Sequence, residues 1–396
     1  MIALMPNAAY LSETSRMLEP RRALTARGAD TRIVTHGGTH ENLIEVPYDL
    51  VEPRMDAARC ARFVRDGVGL GAWDQSMYSD AELRAHTLAE AEYFRRNDVD
   101  TAVTGFALSA LLSTRLAGVR LVTEHAGVFV PPVVGDSYGD LTIHCGGFNR
   151  VAADLGVEPV PSLPALLMGD LTLVPELPEV TGVSAAELEA WSPQGDPRYR
   201  QGTRLRYTGP LFARLDLPLP PDLEAFLKAP GPVVHVAITS SPAELVRAIV
   251  AALLVLDGVR VLVAATVHDL ADLACDRVRI GGVLPSHRIM PRVDLAVTAG
   301  GQGRVQAAMA GGAPLLGIPL QPEQELNVGL LEKLGAARRL APAELARDML
   351  ATDTHRLAAE GIRDLYAAVD GPGLAAEAIL SDCGRTAEAS TARRPR

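Results

Sequence analysis

The chain has little cysteine, almost no lysine and few aromatic rings, and each scarcity narrows what it can be. Four of its 396 residues are cysteine: Cys60, Cys145, Cys275 and Cys383. They lie far apart and form no CxxC pair, which argues against a disulfide framework or a zinc knuckle and fits reduced thiols in a cytoplasm. No pair of histidines has HxxxH or HExxH spacing on a predicted helix, so no metal site is expected. Lys228 and Lys333 are the only lysines. A Schiff-base lysine is therefore disfavoured, and no GxxxxGK[ST] phosphate loop is present. No GxGxxG follows the first strand, where Pro6-Asn7-Ala8 stands, which argues against a dinucleotide oxidoreductase. The longest apolar stretch, Ala248 to Val267, is interrupted by Asp257, Gly258 and Arg260, so no membrane span is expected. The first residues carry no basic n-region and no cleavage site, unlike a secretory signal. The expected location is cytoplasmic. Positive charge is also in deficit. A net charge of −10 repels phosphate backbones, and no nucleic acid partner is expected.

What is present is ordinary globular material, 48% hydrophobic and 22% charged, at a length that suggests two or three domains. Short β-branched runs alternate with glycine or polar loops and amphipathic helices, the pattern of parallel sheets with crossover helices. In the first half the strand candidates are Ile2–Met5, Arg32–Thr35, Thr101–Thr104, Arg120–Thr123 and Leu171–Val174. Ser12 is placed to cap a helix reaching about Arg27, kinked at Pro20. Phe106–Ala117 reads as a helix closed by Gly118. Prolines between residues 209 and 222 mark a boundary, after which the pattern restarts. Strands are expected at Val233–Ile238, Arg260–Ala265, Arg277–Ile280, Asp294–Thr298 and Leu315–Ile318. Helices are expected at Pro242–Leu256, Val305–Ala310 and Glu323–Leu334.

The chemistry concentrates between Val293 and Leu340. Gly300, Gly301 and Gly303 follow a buried strand and open a helix near Arg304. A glycine loop at a helix start brings backbone N–H groups close to an anion, and Arg304 adds a full charge and a bidentate donor. A second loop supplies Gln321, Glu323, Gln324 and Asn327, a carboxylate and several amides suited to sugar hydroxyls. Both loops are expected at the carboxyl ends of parallel strands, where open α/β sheets bind ligands. Two acid–base candidates lie in the first half: His36 precedes Gly37-Gly38, and His125 follows a strand end beside Glu124. His144 falls in a glycine-containing loop.

This stretch resembles the C-terminal signature of GT-B glycosyltransferases, in the family that uses nucleotide-diphosphate sugars on natural products and includes UDP-glucuronosyltransferase-like enzymes (glycosyltransferase family 1). The family pattern is His-Gly-Gly-x-Gly-Thr, a helix with Glu-Ala, Gly-x-Pro, a strand, Pro, then Asp-Gln and Asn. It is matched at Gly300, Gly301, Gly303, Ala308, Gly312, Pro314, Pro319, Gln324 and Asn327, with Glu323 for the aspartate. Gly282-Val283-Leu284-Pro285 resembles the base-binding loop, and Val233–Ser240 the strand and loop that touch the diphosphate. The chain departs from the pattern at Ala299 for the histidine, Arg304 for the threonine, Ala307 for the helical glutamate and Ser12-Glu13 for the N-terminal Gly-His.

The resemblance implies an α/β protein of the GT-B class, with two facing Rossmann-like domains and a cleft between them. Residues 1–215 would form the acceptor domain and 216–355 the nucleotide-sugar domain. Residues 356–382 would be helices packing back on the first domain, and 383–396 a disordered tail. It implies an inverting sugar transfer to a small, natural-product-like acceptor, with a UDP- or dTDP-type sugar as co-substrate and no other cofactor. Donor contacts would come from Ser240, Val283, Leu284, Gly300, Gly301, Gln302, Gly303, Arg304, Glu323, Gln324 and Asn327. The base would be Glu13, His125 or His36. The replaced motif residues favour an alternative, a non-catalytic GT-B partner of another enzyme. A homodimer is compatible with either reading.

Overall fold

The computed structural model describes residues 1–66, 77–135, 145–239, 241–339 and 343–392, with residues 65, 66, 343–345 and 384–392 described by their backbone alone. The chain divides into two units. One comprises Met1–Cys60, Trp73–Leu211 and Asp370–Arg396; the other comprises Ala61–Ala72 and Phe212–Val369.

The first unit is built on a parallel sheet of β1 (Ile2–Pro6), β2 (Thr31–Thr35), β3 (Tyr48–Leu50), β4 (Thr101–Gly105), β5 (Arg120–Thr123), β6 (Leu171–Val174) and β7 (Arg204–Tyr207). Their spatial order is β3-β2-β1-β4-β5-β6-β7. β1 lies centrally, with Ile2 opposite both Thr31 and Thr101. Its sequence IALMP is buried at every position, as a strand covered on both faces requires. Ile2, Leu4, Ile33 and Val103 pack with Leu18, Leu24, Ala375, Ala376 and Ile379 into one core.

The second unit repeats the plan with β8 (Val233–Ala237), β9 (Arg260–Ala264), β10 (Val278–Gly281), β11 (Leu295–Thr298), β12 (Leu315–Gly317) and β13 (Ala337–Arg339). The order is β10-β9-β8-β11-β12-β13, again all parallel. Its core gathers Val234, Val236, Val261, Val263, Leu295 and Val297 with Val246, Val250 and Leu253 of the helix Ala243–Leu254.

Several expectations are corrected here. The expected helix from Ser12 to Arg27 is two helices, Leu11–Arg16 and Leu18–Ala26, meeting at Met17. Pro20 explains the break, because its ring clashes with the carbonyl four residues back, at Arg16. Tyr10, not Ser12, holds the cap position. Phe106 is not helical: its φ is +65°, and the helix begins at Ala110. The units part at Leu211, not at residue 215, and the helix Thr354–Ala367 belongs to the second unit. Only the last helix, Gly371–Ala392, returns to the first. It continues through most of the segment expected to be disordered, in line with the helix propensity of its alanines. Buried Asp382 anchors it, accepting ion pairs from Arg120 and Arg204.

Candidate functional site

In the second unit the residues of interest gather along the carboxyl edge of the sheet. β11 ends at Thr298, and the buried Ala299 packs into the core. Gly300 then takes φ +93°, and its N–H donates to the Thr298 hydroxyl at 3.0 Å. A Cβ on Gly300 would lie 2.6 Å from Val328 Cγ2 and 2.9 Å from the Gln324 carbonyl oxygen, so no other residue fits there without displacement. The loop is braced from the helix Pro322–Lys333, which follows β12. Asn327 Nδ2 donates to the Gly300 carbonyl at 2.9 Å and to Glu323 Oε1 at 2.5 Å. The Leu320 N–H donates to Gln324 Oε1 at 2.8 Å. Of the residues expected to hold a sugar, Asn327 braces the glycine loop directly and Glu323 braces Asn327.

Gly301 is the cap of the helix Gln302–Ala310 and supplies no side-chain acceptor to it. The Arg304 N–H donates to the Gly301 carbonyl at 3.0 Å, and the first-turn N–H groups of Gln302 and Gly303 give this end partial positive charge. Arg304 adds a guanidinium with no acidic partner among the described residues. Burial pushes its pKa down, and no carboxylate opposes the shift. His235, buried in the middle of β8, is pushed down to about 3, first by burial and then by the charge of Arg304. A half-buried cation without a counter-charge forgoes part of its hydration, and an anionic ligand would offset that loss. The Val283–Leu284 loop follows β10, with the Leu284 side chain folded over Gly281. Ser240 and His144 lie outside the described residues.

In the first unit the three acid–base candidates fall into two networks. Glu13 sits in the first helix with both carboxylate oxygens on Arg16 Nη2, at 2.8 and 2.9 Å. Arg16 Nε lies 2.7 Å from Glu124, and both of those side chains are buried. Burial pushes the pKa of Glu124 up and outweighs the opposing pull of Arg16. The next residue, His125, has Nδ1 3.3 Å from the Phe106 N–H and 3.5 Å from the Thr104 carbonyl. Burial pushes it down to about 4, so it is neutral at physiological pH.

His36 belongs to the other network. Its Nδ1 faces the Val51 and Pro53 carbonyls at 2.8 and 3.0 Å, and its Nε2 faces Glu90 Oε1 at 3.0 Å. Carbonyls only accept, so Nδ1 carries a hydrogen. The same carboxylate accepts from Ser109 and Ser113 at 2.5 Å each. His86 stacks on His36 with ring centroids 3.8 Å apart. Both ring nitrogens of His36 are thus engaged within the unit.

Sequence reasoning missed Arg16, Glu90, His235 and Phe106. Arg16 had a readable signal, its i,i+3 spacing from Glu13. The others are defined only by neighbours distant in sequence.

Two doubly wound parallel sheets, each with its candidate residues at the carboxyl edge, define the GT-B class of fold. Solved structures agree. The chain aligns with the spinosyn rhamnosyltransferase SpnG complexed with spinosyn aglycone over 96% of its length and 99% of that chain, with a TM-score of 0.64 at 19% identity. SpnG complexed with thymidine diphosphate gives the same TM-score, and the spinosyn forosaminyltransferase SpnP gives 0.66. In sequence the chain is 31% identical over 189 residues to the 4'-demethylrebeccamycin synthase of Lentzea aerocolonigenes, covering 44% of each chain. It is 26% identical over 169 residues to a PGL/p-HBAD biosynthesis glycosyltransferase of Mycobacterium tuberculosis, covering 42% of this chain and 36% of that one. These matches span less than half the length of the curated relatives. No family model matches the chain. Among the described residues no helix is long and apolar enough to cross a membrane.

Proposed function

We propose that the chain is a glycosyltransferase that moves a sugar from a nucleotide-diphosphate donor to a small natural-product-like acceptor, with inversion. The observation that carries this reading is Arg304: a half-buried guanidinium without an acidic partner among the described residues, in the first turn of a helix opened by a glycine loop. A diphosphate fits that charge and those N–H groups. The thymidine diphosphate complex of SpnG supports a donor of the UDP or dTDP type.

In the proposed reaction an acceptor oxygen attacks the anomeric carbon as the bond to the diphosphate oxygen breaks. The electron pair of that bond leaves with the nucleoside diphosphate. The Arg304 guanidinium and the amides of Gln302 and Gly303 stabilise the charge that develops there. The acceptor proton must pass to a base. Of the three candidates Glu13 suits this best. His36 is engaged at both nitrogens and His125 Nε2 is enclosed, whereas the Glu13 carboxylate keeps 12% of its surface exposed.

One observation favours the alternative, a non-catalytic partner protein. The Glu13 carboxylate is held by Arg16 through both oxygens, so it is already engaged within its own helix. Calorimetric titration with UDP, dTDP and GDP tests the donor site. Saturable binding of one of them, lost in Arg304→Ala, is expected. Binding of none would overturn the donor reading. Nucleotide binding without turnover of any sugar donor would favour the partner protein.

A further inference from the structure

Phe106 is an aromatic residue where the backbone asks for glycine. It follows the last residue of β4 with φ +65°, a region that bulky side chains avoid. The other non-glycine residues with positive φ among those described, Asp98 and Gln194, are polar. Phe106 is over-determined by its surroundings. Its carbonyl accepts from Asn7 Nδ2 at 3.1 Å, its N–H donates to His125 Nδ1 at 3.3 Å, and it bridges Pro6. Asn7 is fixed in turn, with Oδ1 accepting from the Ala9 N–H at 3.1 Å.

These contacts hold three rings at right angles. Tyr10 and Phe106 have centroids 5.2 Å apart at 87°, and Phe106 and His125 are 5.2 Å apart at 88°. The group sits where β1 meets β4, the point at which the strand order of the first sheet reverses and where open α/β sheets take ligands. A residue that only filled the core would gain nothing from a strained backbone; strain that the surroundings enforce marks a site that needs the side chain aimed. Tyr10 and Phe106 are both half-buried, and the Tyr10 hydroxyl has no hydrogen-bond partner among the described residues. Burial, with Tyr78 and Glu13 nearby, raises the Tyr10 pKa, so its O–H remains a donor. His125 is neutral. The corner therefore offers aromatic surface, no charge of its own and one phenolic donor.

We propose that Phe106 and Tyr10 form the acceptor-selecting platform of this protein, and that its acceptor is a planar aromatic molecule with a ring carbonyl or ether oxygen placed to accept from Tyr10. The inference rests on the transferase reading for the word acceptor, but not for the binding itself. Aromatic rings favour offset or edge contact with a flat π-system, a preference that a saturated molecule of equal size cannot satisfy.

The test is calorimetric titration of the full chain with alizarin, a planar hydroxyanthraquinone, and with androstanol, a saturated alcohol of similar size. Saturable alizarin binding is expected, at least tenfold tighter than androstanol. Phe106→Gly removes the ring and relieves the φ. It should lose alizarin affinity at least tenfold while its unfolding midpoint stays equal or rises. Phe106→Asn, which also tolerates positive φ, serves as a second variant should the glycine loosen the loop. Tyr10→Phe should weaken alizarin about threefold. Equal affinity for the two probes, or undiminished alizarin binding in both Phe106 variants, would overturn the proposal. Nucleotide titration of the same samples separates the two readings: absent nucleotide binding with intact alizarin selectivity sinks the transferase and leaves the platform standing.

Discussion

His36 Nε2 lies 3.0 Å from Glu90 Oε1, and the two side chains are 5% and 0% exposed. This pair joins the loop after β2 to the helices Asp80–Arg96 and Ala110–Ala117, because the same carboxylate also takes the Ser109 and Ser113 hydroxyls. Glu90→Leu would leave the imidazole and two hydroxyls without their acceptor. Breaking a buried pair on one side costs about 3–5 kcal/mol. Urea denaturation should show a loss of that order, with nucleotide affinity at the second unit unchanged. A loss below about 1 kcal/mol would mean the pair is not formed in solution.

Three histidines make stability depend on pH. Burial holds His86 and His125 down at about 4 and His235 at about 3, against about 6.5 in an unfolded chain. Between those values the unfolded state binds more protons, so their contribution is present above about pH 6.5 and is lost as pH falls toward 4. Glu124 acts oppositely: its raised pKa favours the folded state at low pH and loses that advantage as pH rises. The three histidines outnumber it. The urea midpoint should fall steadily from pH 7 to pH 4.5, and His125→Gln should flatten that slope. A midpoint that stays level would show that these rings are not buried neutral.

Gly300→Ala should be severe. The new Cβ meets Val328 Cγ2 and the Gln324 carbonyl oxygen, and the φ of +93° strains any L-residue. A destabilisation of about 2–4 kcal/mol and loss of nucleotide binding are expected from thermal melts and calorimetry. Wild-type nucleotide affinity in this variant would place the diphosphate away from the loop.

Asn327→Leu tests the brace without adding bulk to the loop. It removes the bond to the Gly300 carbonyl and leaves that acceptor buried. About 1–3 kcal/mol of stability should be lost. Nucleotide affinity should fall about tenfold even under conditions where the variant is fully folded, as circular dichroism would confirm.

Glu13→Gln addresses the base. Turnover should drop by about 10²–10⁴-fold, the usual contribution of a general base, with nucleotide affinity intact. Retained turnover would remove Glu13 from the chemistry.

The interior strands were legible, and of the four edge strands only β10 was. β1, β5, β6 and β8 are apolar runs because both faces are covered, and their expected bounds differ from the observed by a residue or less. The three strands that escaped notice, Tyr48–Leu50, Arg204–Tyr207 and Ala337–Arg339, lie at sheet edges. Edge strands are short and partly solvated, so YDL, RLRY and ARR, at three or four residues with charges among them, do not stand out as apolar runs. The glycine loop and Arg304 were legible because their placement is written in backbone requirements and one charge. Phe106 was not: a strained φ leaves no trace in composition, and an apolar residue before a helix reads as part of it. Nor could the engagement of His36 be read, since its partner Glu90 is 54 residues away.

The last helix completes the core of the first unit from the far end of the chain. Ala375, Ala376 and Ile379 cover Leu18 and Leu24, and Asp382 pairs with Arg120 and Arg204. During synthesis Leu18 and Leu24 emerge early, but their cover is made only after residues 212–369 have been translated. At 5–20 residues per second that interval is roughly ten to thirty seconds. Throughout it the second unit can fold while the first waits with an open apolar face and two unpaired arginines. Yield in a recombinant host should therefore respond to translation speed and to chaperones that shield nascent chains more than to the stability of the finished protein.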